Sequence, residues 1–129
     1  MADRPRMTMS ATVLDGPDAG ELAEFYHRLL GWPYGTQEPG WVTLRPPDGG
    51  TGLSFAGEPT TYVRPTWPSD PAKRQQQMMA HLDIEVDDLD AGVEYAISLG
   101  AQLAEFQPQS LVRVFLDPAG HPFCLWVRE

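Results

Sequence analysis

The apolar positions along the chain run through the same succession of spacings twice. Residues 11–14 predict a strand and Asp18 a helix N-cap, whose side-chain oxygen can accept from the first free backbone N–H groups. Leu22, Phe25, Tyr26, Leu29 and Leu30 then fall at helical spacing, and Gly31 supplies the residue that ends a helix. In the second half, residues 81–86 predict a strand and Asp87 or Asp88 the cap. Ala91, Tyr95, Ile97 and Leu99 lead to Gly100, 69 positions after Gly31.

Later in each half, residues 41–46 and 53–56 match 111–116 and 123–127 as strands. The turns Pro47-Asp48-Gly49-Gly50 and Asp117-Pro118-Ala119-Gly120 align at a shift of 70, and both carry hairpin chemistry. Each half therefore reads strand, helix, strand, strand, strand. The fold class expected is α+β: two repeated βαβββ modules forming a curved, mostly antiparallel sheet around a cavity, with helices on the outer face. The modules span 8–56 and 78–129 of a single domain. Between them, 57–77 holds Pro59, Pro65, Pro68 and Pro71, which suit neither a helix interior nor a central strand, so it is a linker or lid.

Period two assigns the faces. Leu82, Ile84 and Val86 should pack under a helix while His81, Asp83 and Glu85 face the other way. Likewise Phe123, Leu125 and Val127 point to the helices and Cys124, Trp126 and Arg128 away from them; Leu53 and Phe55 point inward and Ser54 and Ala56 to the concave face. That concave face is expected to carry Trp126, Trp41 and Trp32, with Tyr62 and Trp67 reaching it from the linker; each of these rings has packing as its alternative. Large rings of this kind suit a flat or cationic ligand, to which Asp83 and Glu85 add charge complementarity. Arg45 and Arg113, placed by alternation with Trp41 and Phe115, either clamp a carboxylate or pair with Asp83 or Glu85.

Length and charge narrow the functions. At 129 residues there is room for one core. A formal net charge of −9 leaves no basic stripe, which argues against nucleic acid and anionic membranes as partners. No apolar run approaches a membrane span, residues 1–10 lack the apolar segment of a secretory leader, and the single cysteine forms no intrachain disulfide. A cytoplasmic location is the expectation. There is no Gly-rich phosphate loop, nucleophile elbow or paired-cysteine metal motif. His27 and His121 read as a helix-surface and a turn residue without catalytic partners.

The doubled module, the run from Leu14 and Asp15 through Phe25-Tyr26 to Leu30-Gly31, and the late Asp117-Pro118-Ala119-Gly120-His121-Pro122-Phe123 together resemble the vicinal-oxygen-chelate superfamily of glyoxalases, bleomycin-resistance proteins and dioxygenases. His81-Leu82-Asp83-Ile84-Glu85-Val86, following Pro65-Thr66-Trp67-Pro68, is similar to its bacterial glyoxalase-like branch. The resemblance implies a divalent metal held by His or Gln on the first strand of each module and Glu or Gln on the last. Imidazole and carboxylate suit such ions while open positions receive substrate oxygens. Carried over, His81 matches, whereas Ala11, Ser54 and Cys124 replace the other three.

No metal or other cofactor is therefore expected, and the first reading is a binding protein that sequesters a small molecule. Its ligand contacts would come from Trp32, Trp41, Tyr62, Trp67, His81, Asp83, Arg113, Cys124 and Trp126. The alternative is a metal-dependent lyase, isomerase or dioxygenase with an atypical site around His81, where His81 and Asp83 are the catalytic candidates and Cys124 a possible thiolate ligand. A purely structural role is the third. The resemblance also implies a homodimer.

Overall fold

The computed structural model describes residues 4–128; the first three residues, where the stretch read for a leader begins, and Glu129 lie outside it. The order is β1 (Ala11–Gly16), α1 (Ala19–Leu30), β2 (Tyr34–Glu38), β3 (Trp41–Leu44), β4 (Gly52–Gly57), β5 (Leu82–Glu85), α2 (Leu89–Ser98), β6 (Gln102–Leu103), β7 (Val112–Leu116) and β8 (Pro122–Trp126). The repeated βαβββ module is thus present twice. The strands form two four-stranded sheets, β1-β4-β3-β2 and β5-β8-β7-β6. Each is mixed: the first strand of a module runs parallel to its last, and the other pairs are antiparallel.

Local chemistry sets the helix limits. Asp18 accepts from the Glu21 N–H at 3.0 Å and Asp88 from the Ala91 N–H at 3.0 Å, so Asp88 rather than Asp87 is the second cap. Gly31 stops α1 in the left-handed region at φ 72°, where a side chain would be strained. In α2 the inward residues are Leu89, Val93 and Ala96, at i, i+4 and i+7. Tyr95 and Ile97 are half exposed; the Tyr95 hydroxyl donates to the Arg28 carbonyl at 2.7 Å and ties the two helices together.

One core serves both modules. α1 packs on β3 and β4 and α2 on β7 and β8. Phe25 and Tyr26 of α1 reach Phe123 on β8, with ring centroids 5.8 and 6.1 Å apart, and Phe123 stacks on Phe115 at 5.3 Å. The faces of β4, β5 and β8 follow the expected alternation: Leu53, Phe55, Phe123 and Leu125 are buried, and Leu82, Ile84 and Val86 pack against that core while Asp83 and Glu85 are exposed.

The face of β7 does not follow the sequence expectation. Cross-strand partners share a face, and Phe115 pairs with Phe123 and Arg113 with Leu125, so both belong to the helix side. Leu53 and Phe123 are 70 residues apart, but their partners Leu44 and Phe115 are 71 apart. The second hairpin is one residue shorter, and a slip of one residue reverses every side chain on the strand.

The linker is fastened to the second hairpin. The Tyr62 hydroxyl donates to the Ala119 carbonyl at 2.6 Å and the Arg64 guanidinium to the Pro118 carbonyl at 3.3 Å. Gly120, at φ 95°, is where this approach needs glycine, because a Cβ there would lie 2.6 Å from Arg64 Cγ. Further on, the linker folds on itself through an isolated bridge between Thr66 and Gln77.

Candidate functional site

Two hollows among the described residues bear on the site. The larger, of about 1260 Å³, runs along the free edge of β1 between the linker and the start of β5. Val13, Leu14, Val63, Met78 and Met79 give it apolar walls; Asp15, Glu58, Tyr62, Arg74, His81 and His121 bring polar groups. The smaller, of about 420 Å³, lies on the first sheet around Ala11, Trp41, Thr43, Arg45 and Ser54.

The residues expected to form one aromatic site are therefore dispersed. Tyr62 and His81 line the larger cavity and Trp41 the smaller hollow, while Trp67 and Trp126 line neither. Trp32 packs against the core behind the first sheet, so its place on the concave face is corrected. Arg113 is corrected too: it lies on the helix face, and its guanidinium donates to the carbonyls of Gln109, Ser110 and Val112. It pairs with neither Asp83 nor Glu85. Glu85 is held by Arg128, at 2.6 and 3.2 Å, and the same guanidinium sits 5.3 Å over the Trp126 ring. That end of the sheet satisfies its own charge, and the π-face of Trp126 is taken by a cation of the same chain.

At the other end of the sheet, the parallel pairing of β5 with β8 sets Asp83 opposite Cys124. His81 Nε2 lies 3.1 Å from the Asp83 carboxylate, and one donor atom from each of His81, Asp83 and Cys124 falls within 4.8 Å of the others. Burial, and then the neighbouring Asp83 carboxylate, push the Cys124 thiol up to about 11. With no metal bound it is a neutral thiol at pH 7 and a poor nucleophile. Trp67 approaches His81 with ring centroids 6.5 Å apart, and its indole N–H is buried without a partner among the described residues.

The usual four-donor metal set is not met. Ala11 has no ligating group and Ser54 only a buried hydroxyl, so the first module contributes neither imidazole nor carboxylate at those positions. What remains is three donors from the second module alone.

A group that sequence reasoning passed over lies at the second hairpin. Asp117 is 1% exposed and accepts from the Tyr26 hydroxyl at 2.7 Å, the backbone N–H groups of Ala119 and His121 at 2.9 and 3.0 Å, and His121 Nδ1 at 2.8 Å. Desolvation, reinforced by the Asp117 charge, holds Tyr26 well above the ordinary phenol range, so it remains a donor. His121 has a partner after all. The legible signal was an acid and an imidazole four residues apart across a tight turn; the partner from α1 is 91 residues away.

Among known families, the glyoxalase-like domain model matches residues 11–126. The chain belongs to this family. Its fold is shared by solved structures at low identity. A glyoxalase/bleomycin resistance protein/dioxygenase family enzyme from Burkholderia phytofirmans is 18% identical, with a TM-score of 0.71 over 94% of this chain and 98% of that one. A glyoxalase/dioxygenase from Nostoc punctiforme is 20% identical, at 0.65 over 100% and 99%. A lactoylglutathione lyase from Agrobacterium tumefaciens is 17% identical, at 0.61 over 96% of each. No curated protein sequence matches the chain. This glyoxalase-like chain thus stands in the vicinal-oxygen-chelate superfamily, at identities that carry the fold and not the chemistry. Among its described residues no helix is long and apolar enough to cross a membrane.

Proposed function

We propose that this glyoxalase-like protein binds a small organic molecule in the cavity between β1, the linker and β5, and does so without a metal ion. The cavity itself carries the reading: about 1260 Å³ with apolar walls and a few polar groups is ample for a drug-sized ligand. The loss of imidazole or carboxylate at Ala11 and Ser54 supports the metal-free part. The acidic chain, at −9, favours neutral or cationic molecules over anions. A homodimer in the cytoplasm, with no nucleic acid or membrane partner, belongs to the same proposal.

Titration with 2-naphthol, followed by the probe's own fluorescence, tests it. Saturable binding near one equivalent per chain is expected, unchanged by EDTA. Val13→Trp, which fills the cavity from a half-exposed position, is expected to weaken binding about tenfold, or about 1.4 kcal/mol. Binding that does not saturate, or that EDTA abolishes, contradicts the proposal.

The cluster of His81, Asp83 and Cys124 favours a second reading, in which a divalent ion held by three donors leaves positions open for a ligand. In that case thiol deprotonation would accompany binding, and metal uptake would release a proton.

A further inference from the structure

The hairpin after β7 brings one polar group to the large cavity, and that group is held from behind. His121 is 9% exposed, its ring lines the cavity, and it lies beside Tyr62 with centroids 6.3 Å apart. Its Nδ1 is taken by Asp117. A carboxylate that already receives Tyr26 and two backbone N–H groups can only accept, so the Asp117 contact places a proton on Nδ1. The neutral ring then carries its lone pair on Nε2. That nitrogen has no hydrogen-bond partner among the described residues and is not sealed from solvent.

Tyr62 and Arg64, which flank the same hairpin, are committed elsewhere. The Tyr62 hydroxyl donates to Ala119, and burial, followed by the charge of Asp117, raises its phenol to about 12, so it remains a donor rather than a charged acceptor. Arg64 is engaged with Pro118. An acceptor held from behind on a nine-tenths buried residue that lines the cavity is the arrangement that selects a donor on an incoming molecule. Such a site rejects an analogue without the donor by more than the hydrogen bond alone contributes.

We propose that His121, oriented by Asp117, is a specificity-determining residue of the cavity, accepting a hydrogen bond through Nε2 from an O–H or N–H of an otherwise apolar ligand. This rests on the cavity being the binding site. It places the recognition contact on the second hairpin, at a residue outside the cluster of His81, Asp83 and Cys124.

The test compares 2-naphthol with 2-methoxynaphthalene, which has the same ring system but no donor, at about pH 8, above the ordinary imidazole range. The wild-type chain is expected to bind the naphthol about tenfold more tightly than the ether. In His121→Asn, whose amide still offers an N–H to Asp117 but reaches no further, the two probes should bind equally. Equal binding of both probes by the wild type, or a preference that survives in His121→Asn, overturns the inference and leaves the cavity reading standing. Failure of both probes to bind overturns both. If the variant does not fold, the wild-type His121 nitrogen shifts decide: a protonated Nδ1 and a bare Nε2 that moves on addition of 2-naphthol support it, and an Nε2 that does not move overturns it.

Discussion

Asp117→Ala is expected to destabilise the fold by about 3–5 kcal/mol, the range for removing one partner of a buried charged network. Small domains have about 5–15 kcal/mol in all, so much of the total is at stake. The side chain is fully enclosed and gathers four donors: a phenol from α1, an imidazole and two backbone N–H groups of its own turn. Alanine leaves the Tyr26 hydroxyl without an acceptor in a site closed to water, and releases the turn that carries both His121 and the anchor points of the linker. Urea unfolding followed by circular dichroism checks this: the midpoint should fall with little change in slope. A loss below about 1 kcal/mol would mean that the network contributes little beyond its local turn.

Phe123→Ala should cost a comparable amount, about 3–5 kcal/mol, for a different reason. Phe123 is fully buried and touches rings from both ends of the molecule, Phe25 and Tyr26 from the first module and Phe115 from the second. Truncation removes apolar contact and leaves a cavity that neighbouring strands, fixed by their ladders, close only in part. Because the ring joins the two modules, heating should show one transition shifted to lower temperature rather than two. A second transition would show that the modules melt separately and that the shared core is not what holds them together.

Much of the fold was legible because its signals are local. Asp18, Gly31 and Asp88 announce helix ends within a few residues, and period two gives the faces of β4, β5 and β8. The face of Arg113 was not legible. It depends on one residue of difference between two hairpins, and alternation along a strand says which residues agree with each other, not which side they share with a neighbouring strand. The candidate site was half legible: the proximity of His81, Asp83 and Cys124 follows from β5 lying parallel to β8, but the tryptophans sit on separate elements, Trp32 against the core, Trp41 on β3 and Trp126 beside Arg128, which alternation along single strands does not reveal. His121 was hidden for a physical reason. An Asp in a Pro-Ala-Gly turn looks solvated until Tyr26 arrives from α1 to bury it.

The most direct test of metal-free binding is the metal content of protein purified without chelator or metal-binding tag, before and after incubation with zinc, manganese, nickel and iron(II) salts. The account predicts no stoichiometric ion and unchanged 2-naphthol binding after each incubation. About one equivalent per chain, lost on His81→Ala and on Cys124→Ser, would contradict it and identify the three-donor cluster as a metal centre.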